Sequence, residues 1–152
     1  FDAEAAYTQH VLTPDDGDPI YIRMPKDWLP KEAEGMSDPV FLFLRPLYGH
    51  PAAGRIWELH LQKIMSKLLW LPVPDFPNTW VKRCPAVKVD NTVLQPWVLC
   101  TVYVDDFVIA GKNLSPLWKE IGQHVTFSEP EPIGKILGCH FSTTRVGTVM
   151  QI

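Results

Sequence analysis

Hydrophobic residues recur along this chain with two spacings, one typical of helices and one typical of strands. Between residues 53 and 71 they follow steps of three and four, which predicts one long amphipathic helix. A second helix is predicted over residues 115–125, with Ser115 as its cap and Pro116 at its first position. Short runs of strand-forming residues occupy much of the remaining chain, and Pro, Gly and Asp residues separate them.

The predicted strands are short and do not alternate regularly with the two helices. In chain order they span residues 20–24, 40–45, 79–83, 86–90, 96–104, 107–111, 135–144 and 148–152. The strand at 40–45 is apolar on both faces, so we expect it to be buried. This irregular order favours an α+β fold over a doubly wound parallel sheet.

The composition predicts a single globular domain. The chain has 152 residues, of which 46% are apolar, and this is enough to bury a core. It opens at Phe1 as if in the middle of a strand, so we expect it to be a piece of a longer polypeptide. No apolar run approaches the roughly 20 residues that span a bilayer, and no secretory signal pattern opens the chain. We therefore expect an intracellular protein with no membrane partner.

Cysteine usage and net charge restrict the chemistry further. Cys84, Cys100 and Cys139 are widely separated and form no CxxC pair, which predicts reduced thiols rather than a disulfide framework or a zinc site. The net charge of -3 argues against a nucleic-acid footprint over the whole surface, because proteins that bind phosphates are usually basic. A basic groove completed by other parts of a parent chain stays open.

Two adjacent carboxylates, Asp105 and Asp106, stand between two predicted strands in the stretch TVYVDDFVIAG. Like charges repel, and burying either one unpaired is costly, so the pair predicts either a solvated hairpin corner or a cation site at a hairpin tip. Mg²⁺ prefers carboxylate oxygens, and two such ions stabilise the entering and leaving oxygens of a phosphoryl displacement. A site of this kind needs a further carboxylate from another strand. Asp2 is the candidate, because it also follows an apolar residue at an apparent strand end.

Five stretches of the chain, taken in order, resemble the reverse transcriptases of the Ty1/copia retrotransposon branch. They read DAEAAY from residue 2, IYIRMPKDW from 20, LYGHPAAGRIW from 47, YVDD from 103 and GKILGCHF from 134. The corresponding family patterns are an Asp five positions before an aromatic residue, IYMxQPxGF, LYGLKQAPRxW, the YVDD motif and FLGIEI. Because their order and spacing hold over nearly the whole chain, the joint match is far more specific than YVDD alone.

The resemblance implies an α+β fold in which a polymerase palm-like antiparallel sheet is backed by two helices. On this pattern residues 1–152 form one palm domain fragment, with 8–50 partly fingers-like, and the thumb and ribonuclease H parts are absent. The implied activity is RNA-directed DNA polymerisation with two Mg²⁺ ions, or Mn²⁺ in their place. The implied partners are an RNA template, a DNA primer, dNTPs and the remainder of a retrotransposon polyprotein, in the cytoplasm (in a virus-like particle) or the nucleus. The isolated fragment is expected to be inactive.

The family pattern also implies roles for residues around the nucleotide. Three aspartates would hold the metal ions and carry the catalysis: Asp2, Asp105 and Asp106. Tyr7 would be the ring beneath the sugar that excludes a 2′-hydroxyl, and an ordinary core aromatic is the alternative. Tyr48 and Gly49 would contact the nucleotide or the template.

A second group of residues would contact the primer or the template. Tyr103 would lie beside the primer end, with packing against the hairpin as an equal alternative. Arg55 would reach a phosphate, although a solvent-facing position on the helix fits as well. Leu137, Gly138 and His140 would belong to the turn that grips the primer, or to a simple closing hairpin.

The chain departs from the family pattern where nucleic acid would be bound. Pro51 and Ala52 replace the Lys-Gln of the family, Gly54 replaces a Pro, and Arg45 is the only basic residue in the 40–45 strand. Loss of cationic groups weakens nucleic-acid binding. The alternative is therefore a degenerate or domesticated palm that binds nucleic acid or protein without chemistry. Another palm-type nucleotidyl transferase, such as a cyclase, is a third interpretation.

Overall fold

A four-stranded antiparallel sheet carries the acidic hairpin. The computed structural model describes residues 2–89, 92–94, 96–129, 134–136, 139–143 and 148–151. The α-helices are α1 (Ala6–Gln9), α2 (Ala53–Lys67) and α3 (Ser115–Ile121). The strands are β1 (Tyr21–Ile22), β2 (Phe41–Leu42), β3 (Leu71–Pro72), β4 (Thr79–Arg83), β5 (Val87–Val89), β6 (Thr92–Leu94), β7 (Trp97–Tyr103), β8 (Asp106–Ala110), β9 (Lys135–Ile136), β10 (Cys139–Thr143) and β11 (Thr148–Gln151). Short 3₁₀ helices span Pro14–Asp16, Lys26–Trp28 and Lys31–Ala33.

The central sheet has the strand order β3-β4-β7-β8, and all its described pairs are antiparallel. Strand β7 alternates strictly between buried and exposed residues, as expected when one face of a sheet packs on a core. Its buried residues are Val98, Cys100 and Val102. The opposite face, which carries Leu99, Thr101 and Tyr103, is exposed and is called the open face below. Smaller sheets pair β1 with β2, β5 with β6, and β10 with both β9 and β11.

The hydrophobic core lies between the inner face of the central sheet and the helices α2 and α3. Its large buried side chains come from both helices and three strands: Trp57, Leu61, Met65, Trp80, Val98, Cys100, Phe107 and Ile121. Burial of one such large apolar side chain contributes roughly 1.5–3 kcal/mol. The α+β class predicted from the sequence is therefore confirmed, with antiparallel sheets and helices packed on one face of the largest.

Helix α2 ends earlier than the apolar spacing predicted. The prediction extended it to Leu71, whereas the structure ends it at Lys67 and places Leu71 in β3. Leu69 adopts a left-handed φ of 60°, and the amide of Trp70 donates to the carbonyl of Met65, which is a Schellman ending. This ending usually has a glycine at the left-handed position. A leucine there gives no stop signal in the sequence.

Other predicted elements also differ from the structure, and the strand predicted at 20–24 is reduced to β1. Helix α3 ends at Ile121 rather than residue 125, and Ser115 is its first helical residue without a side-chain capping bond. The strand predicted at 40–45 is reduced to β2, and its neighbours are not buried, since Leu44 is 59% exposed. The strand predicted at 135–144 is described as β9 and β10.

The described residues also bear on the predictions about membrane spans and cysteines. In the described part of the chain, no helix has the length and apolar character needed to cross a membrane. Cys84 and Cys100 are free thiols. Burial in the core raises the pKa of Cys100 to about 12, so this thiol stays protonated and acts as a small apolar side chain.

The segment that follows α1 is attached to α2 through two histidines. His10 is buried, its Nε2 lies 2.8 Å from Oδ2 of Asp16, and its Nδ1 lies 3.2 Å from Nδ1 of His60. The backbone amide and the hydroxyl of Thr13 also donate to Asp16 Oδ2, both at 2.8 Å. Because the carboxylate accepts from Nε2, His10 in its neutral form can accept at Nδ1 from His60. This chain of bonds fixes residues 10–16 against α2.

The surroundings of His60 disfavour its charged form. Burial lowers the pKa of His60, and the charges of His10, Lys63 and His124 lower it further, whereas Asp16 acts in the opposite direction. Two imidazolium rings at this separation would repel each other. The neutral form of His60 is thus the form that the fold stabilises.

Gly111 and Gly54 offer a matched test of the packing. A Cβ on Gly111 would lie 2.6 Å from Cγ2 of the buried Val98, whereas a Cβ on Gly54 meets nothing within 4 Å. We predict that Gly111→Ala lowers the free energy of unfolding by about 1–3 kcal/mol through overpacking. Gly54→Ala, in α2, should instead raise it by up to about 1 kcal/mol. Urea denaturation monitored by tryptophan fluorescence measures both, and equal effects of the two substitutions would contradict the packing.

Acidification should weaken the histidine link. The pKa of His60 lies below the ordinary 6.5, so the unfolded chain binds its proton first as the pH falls. We predict that the free energy of unfolding decreases from about pH 7 to about pH 5. His60→Asn, which retains a donor but cannot titrate, should remove most of this decrease. His140→Asn, at an exposed position, should retain the decrease. A wild-type pH dependence in the His60 variant would refute the assignment of the decrease to His60.

Candidate active site

Residue 2 pairs with the first residue of β8, far away in the sequence. Asp2 forms an isolated antiparallel bridge with Asp106, and the amide of Ala3 donates to the carbonyl of Asp105 at 2.8 Å. On its other side the carbonyl of Asp2 accepts from the amide of Ser128 at 3.0 Å. The segment is therefore held between β8 and residues 126–128. The structure thus brings the backbones of all three predicted metal-binding aspartates together.

Strand pairing determines which way these side chains point. Tyr103 and Asp106 are direct partners in the β7–β8 hairpin, and Asp106 is also the partner of Asp2. Side chains of directly paired residues point to the same side of a sheet. Asp2, Asp106 and the exposed Tyr103 therefore share the open face. The sequence had placed both aspartates in the hairpin tip, but the tip consists of Val104 and Asp105, and Asp106 already belongs to β8.

The carboxylates repel one another. Partial burial raises the pKa of Asp2, and the charges of Asp105 and then Asp106 raise it further. The charge of Glu4 acts in the same direction, and the positive charge of the N-terminus acts in the opposite direction. The ionised cluster therefore reduces the stability of the folded chain.

Two tyrosines lie beside the acidic residues. The rings of Tyr7 and Tyr48 lie 4.9 Å apart with their planes inclined by 49°. Burial raises the pKa of the Tyr48 hydroxyl, and the charges of Asp105, Tyr7 and Asp2 act in the same direction. Tyr7 is half-buried and Tyr48 is 60% exposed, so the pair forms a wall beside the carboxylates that leaves one ring accessible.

The hairpin tip has a strained backbone. Val104 adopts φ 57°, a conformation that β-branched residues rarely take, at a turn position where glycine is usual. Such a residue costs of order 1–3 kcal/mol and persists only where its surroundings fix it. The indole Nε1–H of Trp57 donates to the carbonyl of Val104 at 2.5 Å. The sequence predicts that Trp57 lies in the amphipathic helix over 53–71, and nothing in the local pattern marks this hydrogen bond.

The remaining predicted residues lie in different surroundings. Gly49 has φ 91° in the turn before α2, and Arg55 is exposed on α2. His140 is exposed in β10, in a separate sheet, and no described contact joins it to the aspartates. Leu137 and Gly138 lie outside the described residues.

Arg45, the basic residue that remains in the 40–45 segment, binds the backbone. Its Nη1 donates to the carbonyl of Thr8 at 2.6 Å and to that of Gln9 at 3.3 Å. These are carbonyls at the end of α1, which a cationic side chain stabilises. Arg45 therefore holds the helix that carries Tyr7.

The donor chemistry of the site suits a hard divalent cation. Three carboxylates supply the oxygen ligands that Mg²⁺ prefers, and a cation would offset the repulsion at Asp2. Within the described residues, no three Asp, Glu, His or Cys side chains are already grouped closely enough to hold a metal ion. The aspartates that would hold it are those whose backbones already meet at β8, Asp2, Asp105 and Asp106.

Neutralising Asp2 should stabilise the chain in the absence of metal. Its raised pKa means that the folded state is favoured by protonation, so stability is lost as the pH rises through that pKa. We predict that Asp2→Asn raises the free energy of unfolding by roughly 0.2–1 kcal/mol near pH 7 with a chelator present. The gain should shrink below about pH 4. Denaturation of this variant beside Asp18→Asn, an exposed aspartate outside the cluster, measures the effect, and a destabilised Asp2→Asn would contradict it.

Comparisons with known proteins give no family for this chain. No family model matches it, and neither a curated protein nor a solved structure does. The function of the site therefore has to be argued from the residues that meet at β8.

Proposed function

We propose that this chain is the palm domain, with part of the fingers, of an RNA-directed DNA polymerase of the Ty1/copia type. The observation that carries the proposal is the pairing of Asp2 with Asp106 beside Asp105, in a chain with the ordered motifs of that family. A solvated hairpin corner would require neither the third aspartate nor the pairing. The proposed partners are an RNA template, a DNA primer, dNTPs and the rest of a retrotransposon polyprotein, in the cytoplasm or the nucleus.

In this mechanism Asp2, Asp105 and Asp106 would hold two Mg²⁺ ions. When bound, such ions neutralise charge on the primer 3′-oxygen, on the transferred phosphate and on the pyrophosphate leaving group. The task of the protein is positioning, because the backbone bonds of residues 2 and 3 hold the carboxylates at the hairpin tip. A cation there would offset the charges of Asp105 and Asp106 that raise the pKa of Asp2.

Tyr7 and Tyr48 discriminate between sugars in this proposal. The ring of Tyr7 is half-buried, and the exposed ring of Tyr48 contacts it with the centroids 4.9 Å apart, which limits the movement of Tyr7 on that side. A 2′-hydroxyl placed against such a wall would clash, and a deoxyribose would not. Tyr103 is exposed on the open face as the direct strand partner of Asp106, and this position supports a contact with the primer end.

A non-catalytic palm is the second candidate. It is favoured by the use of Arg45, whose guanidinium binds carbonyls of Thr8 and Gln9. The replacement of the family Lys-Gln by Pro51 and Ala52 points in the same direction. Such a module would bind nucleic acid or protein without transferring nucleotides.

Titration with Mg²⁺ tests the metal site on the chain itself. We predict that Mg²⁺ raises the melting temperature, with a gain of about 2.7 kcal/mol in stability at about a hundred times its Kd. Asp105→Asn and Asp2→Asn should lose most of this rise, whereas Asp18→Asn should retain it. Equal rises in all four proteins would refute the site.

Primer extension separates the two candidates. A polyprotein that carries this chain should extend a DNA primer on an RNA template with dNTPs and Mg²⁺, and Asp105→Asn should abolish extension. Metal-dependent stabilisation without extension would identify the non-catalytic module. Extension that persists unchanged in Asp105→Asn would refute the two-metal mechanism.

A further inference from the structure

The hairpin tip needs an external restraint to keep its shape. Val104 is β-branched and has φ 57°, and the carbonyls of both tip residues receive donors from other parts of the chain. The carbonyl of Val104 accepts from Trp57 Nε1–H at 2.5 Å, and that of Asp105 accepts from the amide of Ala3 at 2.8 Å. One donor lies in α2 and the other beside Asp2. The tip is therefore restrained from two sides.

Trp57 is well suited to act as the fixed side of this restraint. Its side chain is 2% exposed, and it lies in the same core cluster as Leu61 and Met65 of α2. A buried indole N–H that lost its acceptor would remain unsatisfied, which is unfavourable. The hydrogen bond therefore restrains Val104 from a donor that the packing of α2 holds in place.

We infer that Trp57 is a positioning residue, whose indole N–H holds the tip in the conformation that directs Asp105 and Asp106 towards Asp2. This inference rests on the proposed function for its metal readout only. Without the hydrogen bond from the Trp57 indole, the tip would relax from the left-handed conformation at Val104. The carboxylates, which repel one another, would then separate.

The chain contains an internal control for a merely structural tryptophan. Trp70 is also 2% exposed and belongs to the same core cluster, but among the described residues its Nε1 has no hydrogen-bond partner. Replacement of either tryptophan by phenylalanine removes the indole N–H and leaves an aromatic ring. Only the change at Trp57 removes a bond to the tip.

Two measurements on Trp57→Phe and Trp70→Phe test the inference. The first is hydrogen exchange at the Ala3 amide, compared with exchange at the Val102 amide, which donates to the carbonyl of Asn78, the residue before β4. Trp57→Phe should accelerate exchange at Ala3 about tenfold relative to Val102, because the acceptor carbonyl of Asp105 moves. The second is the Kd for Mg²⁺, which should rise about 10- to 100-fold in Trp57→Phe, as for other residues that orient metal ligands. Trp70→Phe should leave both values close to wild type.

The outcomes distinguish this inference from the proposed function. If wild type shows no Mg²⁺ stabilisation, the metal site fails, and exchange at Ala3 still decides whether Trp57 positions the tip. If both variants change Ala3 and Val102 exchange in parallel, Trp57 serves only the stability of the core and the inference is overturned. Equal Mg²⁺ constants in wild type and Trp57→Phe overturn it as well.

Discussion

The backbone pairing of residue 2 with β8 is the constraint on which the site depends. Segments that carry carboxylates repel one another, and the three segments meet here because main-chain bonds hold their backbones together. The bonds from Ala3 to Asp105 and from Ser128 to Asp2 place the first residues between two other parts of the chain. The energy for this arrangement comes from elsewhere, chiefly from the core beneath the central sheet.

The core and the site are linked through α2. The face of the helix that supplies Leu61 and Met65 to the core also presents Trp57 to the hairpin tip, and His60 of the same helix contacts His10. His10 follows α1, which carries Tyr7. One helix therefore sets the position of the tip and of the segment that bears Tyr7. A shift of α2 would disturb both sides of the site together.

The sequence predicted the fold class and the strands beside the acidic pair because these features follow from local periodicity. The run at 79–83 is a strand with the predicted bounds, and β7 lies within the predicted 96–104. The features it missed are tertiary. Leu69 follows the end of α2 in a left-handed conformation that glycine usually takes. Val104 adopts the same conformation in the hairpin tip. Apolar content predicted burial for the 40–45 segment, yet Leu42 and Leu44 are exposed.

The site, too, was predicted only in part, because motifs show which residues are present and do not show their tertiary contacts. The sequence predicted Asp2 as the third carboxylate of the site, and its backbone pairs with Asp106. The family resemblance implied nucleotide contacts for Tyr7 and Tyr48, which lie against each other near Asp2 and Asp105. No local pattern could reveal the hydrogen bond from Trp57, because a tryptophan on the apolar face of a helix has the same spacing whether or not its N–H has an acceptor. The strain at Val104 and the repulsion at Asp2 are both unfavourable, and both fall on the predicted metal site. A solvated corner could relieve both by relaxing, so their coincidence at one tip favours a site arranged for a cation over a simple turn.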